Sequence, residues 1–282
     1  MEVDNHVAFS KERHPALWHY ILENNIKADH RDEEDIAAID MYSSDPHWEW
    51  IGKYVKEKNV HCLRDLVYSR TELREAQWMS VRTTWRYGYP EPSAGYKFED
   101  ITYDKTNYCT ICGVGLKQKD LFRLKKSPNW GRRHFFAPFW IEDELFMSET
   151  AKSVLHNAGI TGVSFREVRN KKGSGQLPET WQLYIQHNTN PGLVLDKSYV
   201  AAVNTCPSCG RIKYGTTREN GSMQKFKKEA LDYVPDVVKT YEVFGGMPLV
   251  AAQEILINQK AYRAIADNKL DRGLMFYPIE LI

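Results

Sequence analysis

No stretch of this 282-residue sequence approaches the roughly 20 consecutive apolar residues that a membrane-spanning helix requires. A helical membrane protein is therefore not expected. The signatures of several enzyme classes are missing as well. There is no phosphate loop ending in Gly-Lys-Ser/Thr, no dinucleotide fingerprint, no H-E-x-x-H and no G-x-S-x-G elbow. Gly113-Val114-Gly115 is a lone G-x-G, better explained by the cysteine turn it sits in. Charge of neither sign prevails: the formal net charge is +1, which by itself predicts no polyanionic partner. Cysteine is scarce, with five residues. The opening Met1-Glu2-Val3-Asp4 has no basic start followed by an apolar run, so the expectation is a protein without a secretory leader. Disulfides need an oxidising compartment, so a reducing, cytoplasmic setting is expected. The nine histidines are scattered. His61 beside Cys62 and His134 beside Arg132 and Arg133 are the two that invite a catalytic reading. A lone histidine is more often a surface or core residue, and the chain is read as a non-enzyme with no catalytic residue.

What is present is a split pair of cysteine knuckles. One reads Cys109-Thr110-Ile111-Cys112-Gly113 and the other Cys206-Pro207-Ser208-Cys209-Gly210. Two residues between cysteines let a tight turn aim both sulfurs at one point. Glycine next in line takes a left-handed backbone at no steric cost. Two such pairs supply the four thiolates of a tetrahedral structural zinc. A catalytic zinc keeps an open position, which four thiolates do not leave. The metal ligands expected are Cys109, Cys112, Cys206 and Cys209, holding structural Zn2+. The fifth cysteine, Cys62, lies among apolar neighbours and reads as a small core residue.

Hydrophobic residues make up 42% and charged residues 27%, as in an ordinary globular chain. The charge is unevenly divided. Up to Tyr108 there are 14 Lys and Arg against 20 Asp and Glu, and beyond it 24 against 17. The expected fold is α+β, in two parts. Residues 1–95 form a mainly helical, acidic segment, and residues 96–282 a knuckle-bearing region with mixed sheets. The break Pro90-Glu91-Pro92-Ser93-Ala94-Gly95 separates them.

In the first part, His14-Pro15 precedes an apolar stripe of Leu17, Tyr20 and Ile21. A second helix is expected after Ser44-Asp45-Pro46, with an apolar stripe of Trp48, Ile51, Tyr54 and Val55, and with Trp48 and Trp50 close enough to form either core or a recognition surface. A third is expected from Ser69, and Met79, Val81, Thr83 and Trp85 alternate as a strand does.

In the second part a plan recurs. Ser148 caps a helix that Gly159 ends, and the segment from Thr161 to Val168 reads as a strand. Asn258 to Asn268 is again a helix, followed by the strand Gly273-Leu274-Met275-Phe276-Tyr277-Pro278-Ile279. Gly162 matches Gly273, Phe165 matches Phe276 and Val168 matches Ile279, so two similar helix–turn–strand units are expected. Lys171 to Gly175 reads as a hairpin loop, Gly215 to Ser222 as a polar loop, and Phe244 to Pro248 as a turn.

The two C-x-x-C-G motifs, with Ser148, Gly159 to Gly162, Glu242-Val243-Phe244 and Gly273 to Pro278, resemble the double-CXXCG motif family of bacterial proteins. That family includes immunity proteins of polymorphic toxin systems. The resemblance spans roughly Tyr103 to Ile282. It implies a cytoplasmic protein that binds and neutralises a cognate protein toxin, with zinc as scaffold. Aromatic residues (8 Trp, 16 Tyr) suit such an interface. The alternative is a zinc-ribbon nucleic-acid-binding or regulatory protein, with Lys117, Lys119, Arg123, Lys125, Lys126, Arg211, Lys213 and Arg218 neutralising phosphates.

Overall fold

The computed structural model describes residues 2–31, 33–196, 199–216, 223–245 and 250–282. Most of the polar loop expected over 215–222, including Arg218, lies outside the described residues. So does the later part of the turn expected over 244–248. The chain forms two compact units that divide between Glu72 and Leu73. The Pro90–Gly95 break falls inside the second of them.

The first unit is not the helical segment expected. Its frame is a four-stranded sheet. The elements run β1 (Glu2–Ser10), α1 (Pro15–Glu23), β2 (Asp29–His30), β3 (Ile36–Tyr42), α2 (Trp48–Glu57) and β4 (Cys62–Val67), in the spatial order β2-β3-β1-β4. The error has a plain cause. From Asn5 to Phe9 every second residue is buried, the period of a strand, although the leading residues are acidic. The helices fall where the apolar stripes put them. Pro15 occupies the first turn of α1, and Ile51 and Val55 are the buried face of α2. Both helices share one core with the sheet, made of Val7, Phe9, Leu17, Ile21, Ile39 and Ile51. Cys62 is half-buried against that core. Ser69 and Glu72 form a reciprocal capping box at the start of α3 (Arg70–Glu75).

The second unit is built on one plan used twice. Its elements run β5 (Trp78–Thr83), α4 (Phe98–Thr102), β6 (Tyr103–Asp104), β7 (Lys117–Gln118), β8 (Arg123–Leu124), β9 (Phe135–Phe136), β10 (Leu145–Ser148), α5 (Glu149–Asn157), β11 (Val163–Asn170) and β12 (Gln176–Ile185). Then follow β13 (Val200–Thr205), β14 (Ile212–Thr216), β15 (Gln224–Phe226), β16 (Val237–Lys239), β17 (Ile255–Asn258), α6 (Gln259–Asp267) and β18 (Leu274–Leu281).

Two five-stranded sheets result, β8-β11-β12-β10-β9 and β15-β18-β5-β17-β16. They correspond strand for strand. In each, the strands before and after the helix flank a central antiparallel strand, and the first edge strand pairs in parallel. The registers agree too. Leu183 of β12 faces Leu145 and Phe165, and Val81 of β5 faces Ile255 and Phe276. The central strand follows its βαβ unit in the first half and comes from far upstream in the second.

Both helices are capped alike, by Ser148 accepting from the Ala151 N–H at 3.2 Å and by Asn258 accepting from the Ala261 N–H at 3.1 Å. Both halves feed one core, with Met147, Leu155 and Leu183 from the first and Met79, Ile257 and Ile265 from the second. The opposite faces bury separate clusters, Phe122, Phe136 and Phe146 under the first sheet and Phe226, Val238 and Leu256 under the second. Phe146 and Leu256 are at equivalent positions, as are Phe136 and Val238. Gly162 works at the seam between the halves. Its φ is +87°, and a Cβ there would run into the Val237 carbonyl and Pro235.

Candidate metal centre and exposed aromatic surface

Each half carries a two-stranded hairpin with a knuckle between its strands, β6–β7 and β13–β14. The knuckles have the same hydrogen bonds. The Cys109 N–H donates to the Val114 carbonyl at 2.9 Å and the Gly113 N–H to the Cys109 carbonyl at 2.8 Å. The Cys206 N–H donates to the Arg211 carbonyl at 2.9 Å and the Gly210 N–H to the Cys206 carbonyl at 2.9 Å. Gly113 and Gly210 have φ of +77° and +71°, the left-handed conformation that the C-x-x-C-G spacing called for.

The four sulfurs, 97 residues apart in two pairs, lie within 4.8 Å of one another and could hold a metal ion. Cys109 Sγ is 3.8 Å from Cys206 Sγ and Cys112 Sγ is 3.7 Å from Cys209 Sγ. Sulfurs at the corners of a tetrahedron, about 2.3 Å from its centre, are about 3.8 Å apart. A disulfide would place them about 2.05 Å apart, and all five cysteines are free. The donor set and its spacing therefore fit a four-thiolate ion.

The protein prepares these thiols for deprotonation. Backbone N–H groups of Cys112 and Ile111 point at Cys109 Sγ and bring its pKa down to about 6. The N–H groups of Cys209 and Ser208 lower that of Cys206 in the same way. Burial pushes Cys112 up to about 11, a cost that a bound cation would offset. Arg211 ties the knuckles together. Its Nη1 donates to the Asn107 carbonyl at 2.6 Å and to the Val114 carbonyl at 2.8 Å.

Beside the first knuckle lies a polar cleft of about 410 Å³, lined by Gly113 to Gln118, Glu144, Asn188 and Lys239. Its floor is a buried network. The Lys239 ammonium donates to Glu144 Oε1 at 2.7 Å and to Asp143 Oδ2 at 3.2 Å. Gln182 donates to Glu144 Oε2 at 2.9 Å and exchanges hydrogen bonds with Gln118. Burial works against the charge on Lys239, but the two carboxylates outweigh it and its pKa is raised.

A second surface is aromatic. Tyr89 stacks on Phe139, with ring centroids 4.8 Å apart. Trp140 lies 4.5 Å from both Tyr89 and Tyr96. All four are exposed, Trp140 at 42% and Tyr96 at 53%. Trp140 and Tyr96 also hold left-handed backbones, with φ of +71° and +56°. Bulky residues adopt that region at a cost of about 1–2 kcal/mol, and such strain gathers at functional surfaces.

The other residues singled out from the sequence sit elsewhere. His134 is half-buried and bonded to Ser148 Oγ at 2.9 Å, a supporting contact for the α5 cap. His61 is exposed on the first unit. Trp50 stacks on Tyr20 at 4.0 Å. Of the cations expected near the knuckles, Lys117, Lys119, Lys125 and Lys126 are exposed. Arg123 pairs with Asp120, Arg211 is spent on carbonyls, and Lys213 is buried with its ammonium on the Val250 carbonyl at 2.9 Å.

Sequence reasoning missed the Glu144–Lys239 network and the aromatic surface. A signal for the first was present: Glu144-Leu145-Phe146-Met147 and Glu254-Ile255-Leu256-Ile257 stand at the same distance from their helix caps. No helix among the described residues is long and apolar enough to cross a membrane. No protein-family model matches the chain, and no curated protein matches it.

Proposed function

We propose that the protein is an immunity-type binding protein of the reducing cytoplasm, stapled by one structural zinc ion, that covers and neutralises a protein toxin. Cys109, Cys112, Cys206 and Cys209 would hold the zinc, and the ion contributes folding free energy. It fixes the two duplicated halves at their hairpins and leaves no coordination position for a substrate.

The observation that carries the binding reading is the aromatic surface of Tyr89, Tyr96, Phe139 and Trp140. Rigid, amphipathic rings held in costly conformations are what anchor protein interfaces. The resemblance carried by the two C-x-x-C-G motifs supplies the toxin as the class of partner. The nucleic-acid reading is weaker, because Arg211 and Lys213 are committed inside the fold and cannot release counterions.

The test is growth rescue. The gene is co-expressed with a toxin gene adjoining it, and the double variant Tyr96→Ala/Trp140→Ala is compared. The reading expects protection by the native chain, lost in the double variant although its melting temperature and zinc content are kept. Absence of protection by the native chain sinks it.

A further inference from the structure

The duplication leaves one pair of equivalent sites mismatched. Glu144 and Glu254 occupy the same position, directly before β10 and β17. The backbone around them agrees bond for bond. The Lys239 N–H donates to the His187 carbonyl at 2.9 Å, and the Ala137 N–H to the Trp85 carbonyl at 3.0 Å. The Thr189 N–H donates to the Lys239 carbonyl at 2.8 Å, and the Tyr87 N–H to the Ala137 carbonyl at 3.1 Å. Asn188 bridges to Lys239 as Arg86 bridges to Ala137. Lys239 and Ala137 therefore hold one position in the two halves.

In the first site the Lys239 ammonium and the Gln182 amide satisfy Glu144. In the second, Ala137 stands for the lysine and Ser80 for the glutamine. Glu254 stays buried nonetheless, at 6% exposure. Its Oε1 receives Arg82 Nη2 at 2.6 Å and the Tyr199 hydroxyl at 3.2 Å. Its Oε2 is buried with no hydrogen-bond partner among the described residues. A cleft of about 310 Å³ adjoins it, walled by Val81, Ala137, Leu145, Phe244 and Ile255. The remaining cation among the described residues of the wall, Arg86, is engaged by Glu142 and by the Ile141 carbonyl.

We propose that this cleft binds a primary alkylammonium, its chain along the apolar wall and its nitrogen on Glu254 Oε2. A buried carboxylate oxygen without a donor is unfavourable and calls for one. The first site shows which donor the shared frame accepts: an ammonium on a four-carbon stem, the group that Ala137 omits. This chemistry has two sources, a free amine or a lysine side chain presented by a protein. It is independent of the toxin reading.

The experiment titrates the full-length, zinc-loaded chain by NMR, separately with n-butylamine and with Nα-acetyl-lysine methylamide, with n-butanol as the uncharged control. Saturable shifts at Ala137 and Ile255 are expected with a Kd on the order of 1 mM, and n-butanol should bind at least about tenfold more weakly. Binding of n-butylamine alone assigns the site to small free amines, and binding of both extends it to a partner's lysine. Ala137→Lys supplies the ammonium internally and should weaken amine binding about tenfold or more, as should Glu254→Gln. If Glu254→Gln does not fold, Ala137→Lys decides. No saturable binding below about 100 mM, or unchanged binding in Ala137→Lys, overturns the proposal.

Discussion

Replacing Lys239 by methionine removes the ammonium from the buried network and keeps the length of its apolar stem. Glu144 then loses its nearest cation, at 2.7 Å, and Asp143 loses one at 3.2 Å. Glu144 is buried and, among the described residues, retains the Gln182 amide alone. Breaking a buried ion pair by removing one partner costs about 3–5 kcal/mol, because the remaining charge is left uncompensated. Neutralising both partners costs far less, so Lys239→Met/Glu144→Gln should recover most of the loss.

The pH dependence gives a second signature. Burial raises the folded-state pKa of Glu144, and removing Lys239 raises it further. An acid whose folded pKa exceeds its unfolded one takes up a proton on folding. The stability of the single variant should therefore rise as pH falls through that raised pKa towards the ordinary carboxylate range, narrowing its gap to the parent. Urea unfolding of the three proteins at several pH values measures both effects. A loss below about 1 kcal/mol, or a loss that does not change with pH, would refute the reasoning.

Asp236 joins the two halves by accepting from the Thr161 N–H and hydroxyl, both at 2.8 Å, and from Asn258 at 2.8 Å and Lys260 at 3.1 Å. Burial alone would raise its pKa, but these donors together lower it. Its stabilisation is therefore full above the ordinary carboxylate pKa and is lost as pH falls through the depressed one. Asp236→Asn should cost about 1.5–3 kcal/mol at neutral pH, read by urea unfolding, and little once pH has fallen below the depressed pKa. Gly162→Ala should destabilise by more than about 1 kcal/mol, since it combines left-handed strain with a clash against β16, and a thermal melt checks it. Cys109→Ser should lose the metal and lower the melting temperature, measured by metal analysis and calorimetry on one sample.

The four-cysteine cluster was legible because its geometry is local. A C-x-x-C-G turn fixes its own backbone, and two copies imply one ion. The helix–turn–strand repeat was legible for the same reason, since Ser148, Gly162 and Phe165 have counterparts at a nearly constant offset. The full duplication was not legible, because the central strand of the second sheet, Trp78–Thr83, lies some 170 residues upstream of its partner Ile255–Asn258. The first strand, Glu2–Ser10, was hidden by acidic residues on its open face, which outweighed the alternation of Asn5, Val7 and Phe9. Arg211 read as a free cation because nothing in the sequence tells that Asn107 and Val114 carbonyls face it across the knuckles. Glu254 could be understood only beside Glu144, and that comparison needs the registers of two sheets.

The central claim is that two distant cysteine turns close on one ion. X-ray absorption at the zinc edge, with metal analysis of the same purified chain, tests it most directly. The account predicts one zinc per chain with four sulfur neighbours at about 2.3 Å. A folded, zinc-free protein from zinc-replete medium, or a shell with nitrogen or oxygen in place of sulfur, would contradict it.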